Sequence, residues 1–198
     1  MSVTSVGYRL SPQQMRAWQL LLANNRNGYF VEGALLIEGQ IEPAEIEASL
    51  DRIVQRHEIL RTVFTVLPGA SIPIQVVTNW RFCFDQTLDL SGLGKAEQES
   101  KINKLKQAVR RHPPGVEHGA LMRATLIIIS REKKLLYLLL PAVCADRAGL
   151  VNLAHELGRD QSAERGREPN GTELVQYADL AGALNSFLES DEMQDGRE

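Results

Sequence analysis

Pro141-Ala142-Val143-Cys144-Ala145-Asp146-Arg147 follows the most apolar run in the chain, Leu135 to Leu140, and leads into Leu150, Leu153 and Leu157 at helical spacing. The reading is a strand, a short junction and a helix over residues 149–157. A second apolar run, residues 121–130, joins the first through the charged turn Arg131-Glu132-Lys133-Lys134. Near-continuous Leu and Ile imply strands covered on both faces, as in a sheet packed by helices. The expected fold class is therefore α/β, a β-sheet packed by helices.

Working outward, residues 95–112 read as a helix with Ile102, Leu105 and Val109 inward and Lys101, Lys104, Arg110 and Arg111 outward, ended by His112-Pro113-Pro114-Gly115. Upstream, Asp89-Leu90-Ser91-Gly92-Leu93 reads as a loop and residues 80–84 as extended chain. Residues 62–67 and 72–77 form a hairpin around Pro68-Gly69. Pro43 opens a helix whose Ile46, Leu50, Ile53 and Val54 make one apolar stripe. That helix ends in Arg56-His57-Glu58-Ile59-Leu60-Arg61-Thr62-Val63-Phe64, where His57 interacts favourably with the dipole at a helix C-terminus, a structural role. Before it come a turn at Asn27-Gly28 and a strand over residues 29–38, with a buried centre at Ala34-Leu35-Leu36-Ile37.

At the N-terminus Ser11 caps, and Pro12 opens, a helix running to about Ala23 with Met15, Trp18 and Leu22 inward. At the other end residues 161–171 read as a polar linker. A last helix, residues 172–188, then presents Leu174, Tyr177, Ala181, Leu184 and Leu188 on one face.

Two of these segments fit sequence patterns. Ser11-Pro12-Gln13-Gln14-Met15-Arg16-Ala17-Trp18 fits Ser-x-x-Gln-x-Arg-x-Trp, and residues 56–64 fit Arg-His-Glu-x-Leu-Arg-Thr-x-Phe. Both resemble motifs of the condensation domains of nonribosomal peptide synthetases, which share a fold with chloramphenicol acetyltransferase. Those domains carry His-His-x-x-x-Asp-Gly at the strand-to-helix junction. Here the motif is degenerate: Pro141 and Ala142 stand in place of the histidines, Asp146 matches the aspartate, and Arg147 stands in place of the glycine. Asp89-Leu90-Ser91-Gly92-Leu93 resembles the family's loop before its next helix, and Gln176-Tyr177-Ala178-Asp179 the segment leading out of its N-terminal lobe.

The resemblance covers residues 8–182 and implies a single chloramphenicol acetyltransferase-like lobe, a mixed β-sheet packed by helices, with the second lobe absent. The expected division is a condensation-domain-like N-terminal lobe over residues 1–160, a linker over 161–171, a C-terminal helix over 172–190 and an acidic tail over 191–198. The resemblance also implies an ion pair between Arg61 and Asp146, tying the helix end to the junction.

Condensation requires an amine to attack a thioester carbonyl, and in the family the second histidine serves the nucleophile. A positioned general base contributes about 10²–10⁴-fold, whereas the methyl group of Ala142 neither accepts nor donates a proton. Pro141 lacks a backbone donor, and Arg147 puts a bulky cation where glycine would leave an approach channel open. No catalytic residue of the motif is intact. Cys144 is the alternative nucleophile: in an extended segment it would share a face with Ala142, and the field of Arg147 would have to lower its pKa. Read structurally, Cys144 and Cys83 are both reduced, buried small hydrophobes.

With 43% hydrophobic and 24% charged residues the chain has the composition of a globular protein, and its net charge of −3 argues against nucleic acid as a partner. Residues 171–198 hold seven acidic side chains and one basic, a net of −6 that leaves +3 on residues 1–170. No run approaches the ~20 apolar residues of a membrane span, and residues 1–9 lack a signal-peptide core. The expected location is the cytoplasm.

The chain is therefore expected to be a catalytically inactive, truncated condensation-like domain of a nonribosomal peptide or hybrid peptide–polyketide system, acting as a structural or docking module. The alternative is one half of a split acyltransferase completed by a partner lobe. Expected partners are adjacent synthetase domains, an adenylation domain or an acidic carrier protein that the basic face of residues 95–112 would meet. No metal or cofactor is expected, with phosphopantetheine only on the carrier.

Overall fold

The computed structural model describes residues 7–23, 29–117, 121–161 and 174–190. The apolar run preceding the junction becomes strand β7 (Lys133–Pro141), the interior of a four-stranded sheet ordered β2-β7-β6-β5. Its neighbours β2 (Phe30–Glu38) and β6 (Arg123–Ser130) are both antiparallel to it. Strand β5 (Gln86–Asp89) runs parallel to β6 at the edge.

Alternate residues of β7 point to opposite faces, and both faces are covered. Leu136, Leu138 and Leu140 enter a core with Ile46, Leu50, Ile53 and Val54 of α2 (Pro43–Arg56) and Leu150, Leu153 and Leu157 of α4 (Arg147–Gln161). On the other face Tyr137 meets α3 (Lys95–Arg111), where Lys106 lies 5.8 Å from the ring centroid. The α3 layer is thin: Ile102, Leu105 and Val109 face inward but are only half-buried.

The expected mixed sheet is the four-stranded one, with β5 parallel and the other pairs antiparallel, and a second, antiparallel sheet ordered β1-β4-β3 stands with it. The expected hairpin forms as β3 (Thr62–Val66) and β4 (Pro73–Val77), with Gly69 at φ 82°, a turn conformation that favours glycine. Strand β1 (Gly7–Arg9) adds to β4. Beneath lies a second core in which Trp18 and Leu21 of α1 (Pro12–Ala23) meet Phe64, Val116, Leu121 and Val143.

Several inward faces differ from the sequence reading. In α1 the buried set is Gln14, Ala17, Trp18 and Leu21, while Met15 is half-buried and Leu22 is 45% exposed. The helix is rotated so that Gln14 can reach Gln75 at 3.2 Å in the smaller sheet. Strand β2 has no buried centre: as an edge strand it turns Val31, Leu35 and Ile37 inward and leaves Leu36 55% exposed. Strand β5 forms just before and into the segment that reads as a loop, because its pairing partner lies some forty residues downstream. Neither cysteine is fully buried: Cys83 is exposed and Cys144 is half-buried. The rings of Trp80, Phe82 and Phe84 stack edge to face on the core side, and Cys83 takes the opposite parity.

Helix α5 (Tyr177–Leu188) begins later than expected. Its buried residues are Ala178 and Ala181, while Leu174 and Leu188 are exposed. Polar bonds hold it in place instead. Tyr177 OH lies 3.0 Å from Ser11 Oγ, Asn185 donates to Leu10 O at 2.9 Å, and Arg9 pairs with Glu189 at 2.7 Å. The Asn27-Gly28 turn, nearly all of the linker and the acidic tail lie outside the described residues. Among the described residues no helix is long and apolar enough to cross a membrane.

Candidate functional site

Strand β7 ends at Pro141, and the chain turns at once. Ala142 N donates to Tyr29 O at 2.8 Å, and the amides of Cys144 and Ala145 return to Pro141 O at 3.0 and 3.2 Å. Asp146 then caps α4, its Oδ1 accepting from Gly149 N at 2.7 Å. The helix thus starts at Arg147, two residues earlier than expected. Arg147 is exposed on the first turn. Every bond named so far uses the backbone or the Asp146 cap.

The tight turn separates Ala142 from Cys144. They do not share a strand face; Cys144 Sγ folds back to donate to Pro141 O at 3.2 Å. Burial pushes the thiol pKa up from 9.0 to about 12. Burial, not the field of Arg147, therefore governs Cys144, and at neutral pH it is a thiol rather than a nucleophilic thiolate.

The expected Arg61–Asp146 ion pair is not formed. Arg61 lies in the 3-10 turn Glu58–Arg61, where its guanidinium donates to Thr78 O at 2.8 Å and to Glu58 at 3.3 Å. Its Nε is buried without a partner among the described residues. Asp146 is exposed and committed to its cap. A carbonyl at the end of β4 reaches the arginine first, and the aspartate is held by its own helix.

His57 does close α2, where its amide donates to Ile53 O at 3.0 Å. Its ring does more than the sequence reading assigns to it. Nε2 lies 2.8 Å from a carboxylate oxygen of Glu156 on α4, and Arg56 stands 3.8 Å from the same carboxylate. Around this pair opens a cleft of about 380 Å³ between the end of α2 and α4. Cys144 and Ala145 line it, and so do His57 and His155, although sequence order places no histidine near the cysteine. The available signal is the position of Glu156 on a helical wheel, between the inward Leu153 and Leu157. Among the described residues no group of three or more His, Cys, Asp or Glu side chains is placed to hold a metal ion.

Comparison with known proteins agrees with this lobe. A linear gramicidin synthase polypeptide of Brevibacillus parabrevis is 31% identical over 189 residues, covering 93% of this chain but 2% of that protein. Bacitracin synthase 1 of Bacillus licheniformis is 30% identical over 190 residues, covering 94% of this chain and 4% of that one. Among solved structures, the starter condensation domain of rhizomide synthetase superposes with a TM-score of 0.81 at 21% identity, over 96% of this chain and 48% of that one. The first condensation domain of the calcium-dependent antibiotic synthetase gives 0.80 at 18%, over 96% and 46%. The chain thus spans a few hundredths of the length of these synthases and just under half of these condensation-domain structures. At such identities the superpositions establish the fold, a condensation-domain lobe. The condensation-domain family profile matches residues 5–198, and the chain belongs to that family.

Proposed function

We propose that this lobe does not catalyse condensation and serves a cytoplasmic peptide-synthetase system as a structural or docking module for an adjacent adenylation domain or carrier protein. The observation that carries this reading is Ala142: its methyl group occupies the place where the family's chemistry needs a histidine, in a turn held by backbone bonds. The neighbouring thiol offers no substitute, since burial keeps Cys144 protonated. The relatives' names as synthases of peptides support the setting. The docking role draws on α3, whose Lys101, Lys104 and Arg111 are exposed and form a face suited to an acidic carrier that would bear the phosphopantetheine.

The test mixes the native chain with loaded donor and acceptor carrier proteins, with and without a separately supplied second lobe. Mass spectrometry should find no amide or ester product, and none should appear with Ala142→His without that lobe. Lys101→Glu with Lys104→Glu should weaken carrier binding. The second reading, half of a split acyltransferase, is favoured by the outer face of α5, where Leu180, Phe187 and Leu188 are exposed as an unpartnered stripe. Product formed by the native chain with a partner lobe, and abolished by Cys144→Ala, would replace the first reading with the second.

A further inference from the structure

Helix α3 covers its face of the larger sheet differently from the two helices opposite. None of its 17 residues, all of them described, is buried, whereas α2 buries five and α4 three. The strands beneath it are closed to solvent all the same. Thr125 and Tyr137, cross-strand partners on one face, are 3% and 2% exposed, and Ile127, two residues further along that face, is fully buried. The helix meets them with Ile102, Leu105 and Val109, each only half-buried. Polar side chains add the fastenings. Towards the C-terminal end Arg110 Nε donates to Glu32 Oε2 on β2 at 2.7 Å, and the Tyr137 hydroxyl donates to the same oxygen at 2.5 Å. Towards the N-terminal end Gln98 donates to Leu90 O at 2.9 Å and to Ile129 O at 3.1 Å. Outside the helix the chain is anchored on both sides by the buried Leu90 and Val116.

We propose that α3 is a releasable cover: breaking the Arg110–Glu32–Tyr137 clasp lets it lift as a unit between the Leu90 and Val116 anchors, uncovering Thr125, Ile127 and Tyr137 while α2 and α4 stay packed. Segments that open ahead of the whole fold are those with few buried apolar contacts. Of the helices on the larger sheet, α3 fits that description and the other two do not. The clasp sets how often the cover opens. The Arg110 and Glu32 side chains are 56% and 35% exposed, so salt screens their attraction while the apolar packing of α2 and α4 remains. The device requires nothing of what docks on the outer face of α3, so it stands apart from the docking reading above.

Hydrogen exchange of the full chain, read by mass spectrometry on peptides from residues 95–111, tests this. The α3 amides should exchange at least about tenfold faster than those of α2. Raising sodium chloride from about 0.05 M to about 1 M should speed α3 alone, by about threefold. Arg110→Ala, at an exposed position, should speed α3 by about fivefold at low salt and abolish the salt effect. Arg52→Ala, which breaks the exposed pair with Asp160 between α2 and α4, should leave α3 unchanged. Protection of α3 equal to that of α2, a rate indifferent to salt or to Arg110→Ala, equal acceleration of α2 and α4 in that variant, or faster α3 exchange in Arg52→Ala would each overturn the assignment.

Discussion

Residues 56–64 and 141–147 form neighbouring walls of one cleft, yet they hold their shapes by opposite means. In the first segment the side chains do the holding. The His57 ring meets Glu156, Arg61 reaches Thr78 O, Thr62 Oγ1 donates to Glu58 O at 2.7 Å, and Phe64 is fully buried in the smaller core. In the second segment the backbone makes most of the bonds of the turn, joined by the Asp146 cap and the Cys144 thiol on Pro141 O. The first segment fits its family pattern at every fixed position, while the second retains the aspartate alone. The difference teaches that a segment held by its side chains depends on their identity, whereas one held largely by its turn depends on them less.

Substitutions can break or sharpen that contrast. The largest effect is expected from Phe64→Ala, which opens a cavity in the second core and should cost about 3–5 kcal/mol in urea denaturation; a loss like that of a surface site would remove the structural role claimed for the first segment. Arg61→Ala comes next at about 1–3 kcal/mol, because the charged hydrogen bond to Thr78 O is lost. Combined with Asp146→Ala it should be additive to within about 0.5 kcal/mol, since the two side chains do not meet. A larger coupling energy would restore the ion pair. Asp146→Ala alone removes a helix cap and should cost about 1 kcal/mol.

The smallest effect concerns pH. The folded thiol of Cys144 is raised from 9.0 to about 12, so the fold holds this proton more tightly than the unfolded chain does. Its contribution is fully present below pH 9 and is lost as pH rises towards 12. Denaturation at rising alkaline pH should therefore show a decline that Cys144→Ala removes. At pH 8 iodoacetamide should label exposed Cys83 and spare Cys144; rapid labelling of Cys144 would reopen its candidacy as a nucleophile.

The elements whose residues contact near neighbours were legible in the sequence. Pro43 and the Ile46, Leu50, Ile53 and Val54 stripe define α2 without reference to anything distant, and all four residues are buried as expected. Leu150, Leu153 and Leu157 did the same for α4. What escaped depends on distant partners. Strand β5 is a strand because β6 lies beside it, and β1 because β4 does. The face of α1 is set partly by Gln75, whose side chain reaches Gln14 and Arg9 O from a hairpin some sixty residues away.

The candidate site divides along the same line. By itself the sequence determined that the junction carries no histidine and that Asp146 precedes a helix, because residue identity settles which protons a side chain can move and local order settles a cap. Tertiary structure alone decided that Arg61 turns to Thr78 rather than to Asp146, that Cys144 is half-buried while Cys83 is exposed, and that His57 meets Glu156 across a cleft. Each of these joins atoms from separate elements, and hydrogen bonding, burial and pKa depend on that distance in space, which spacing along the chain does not encode.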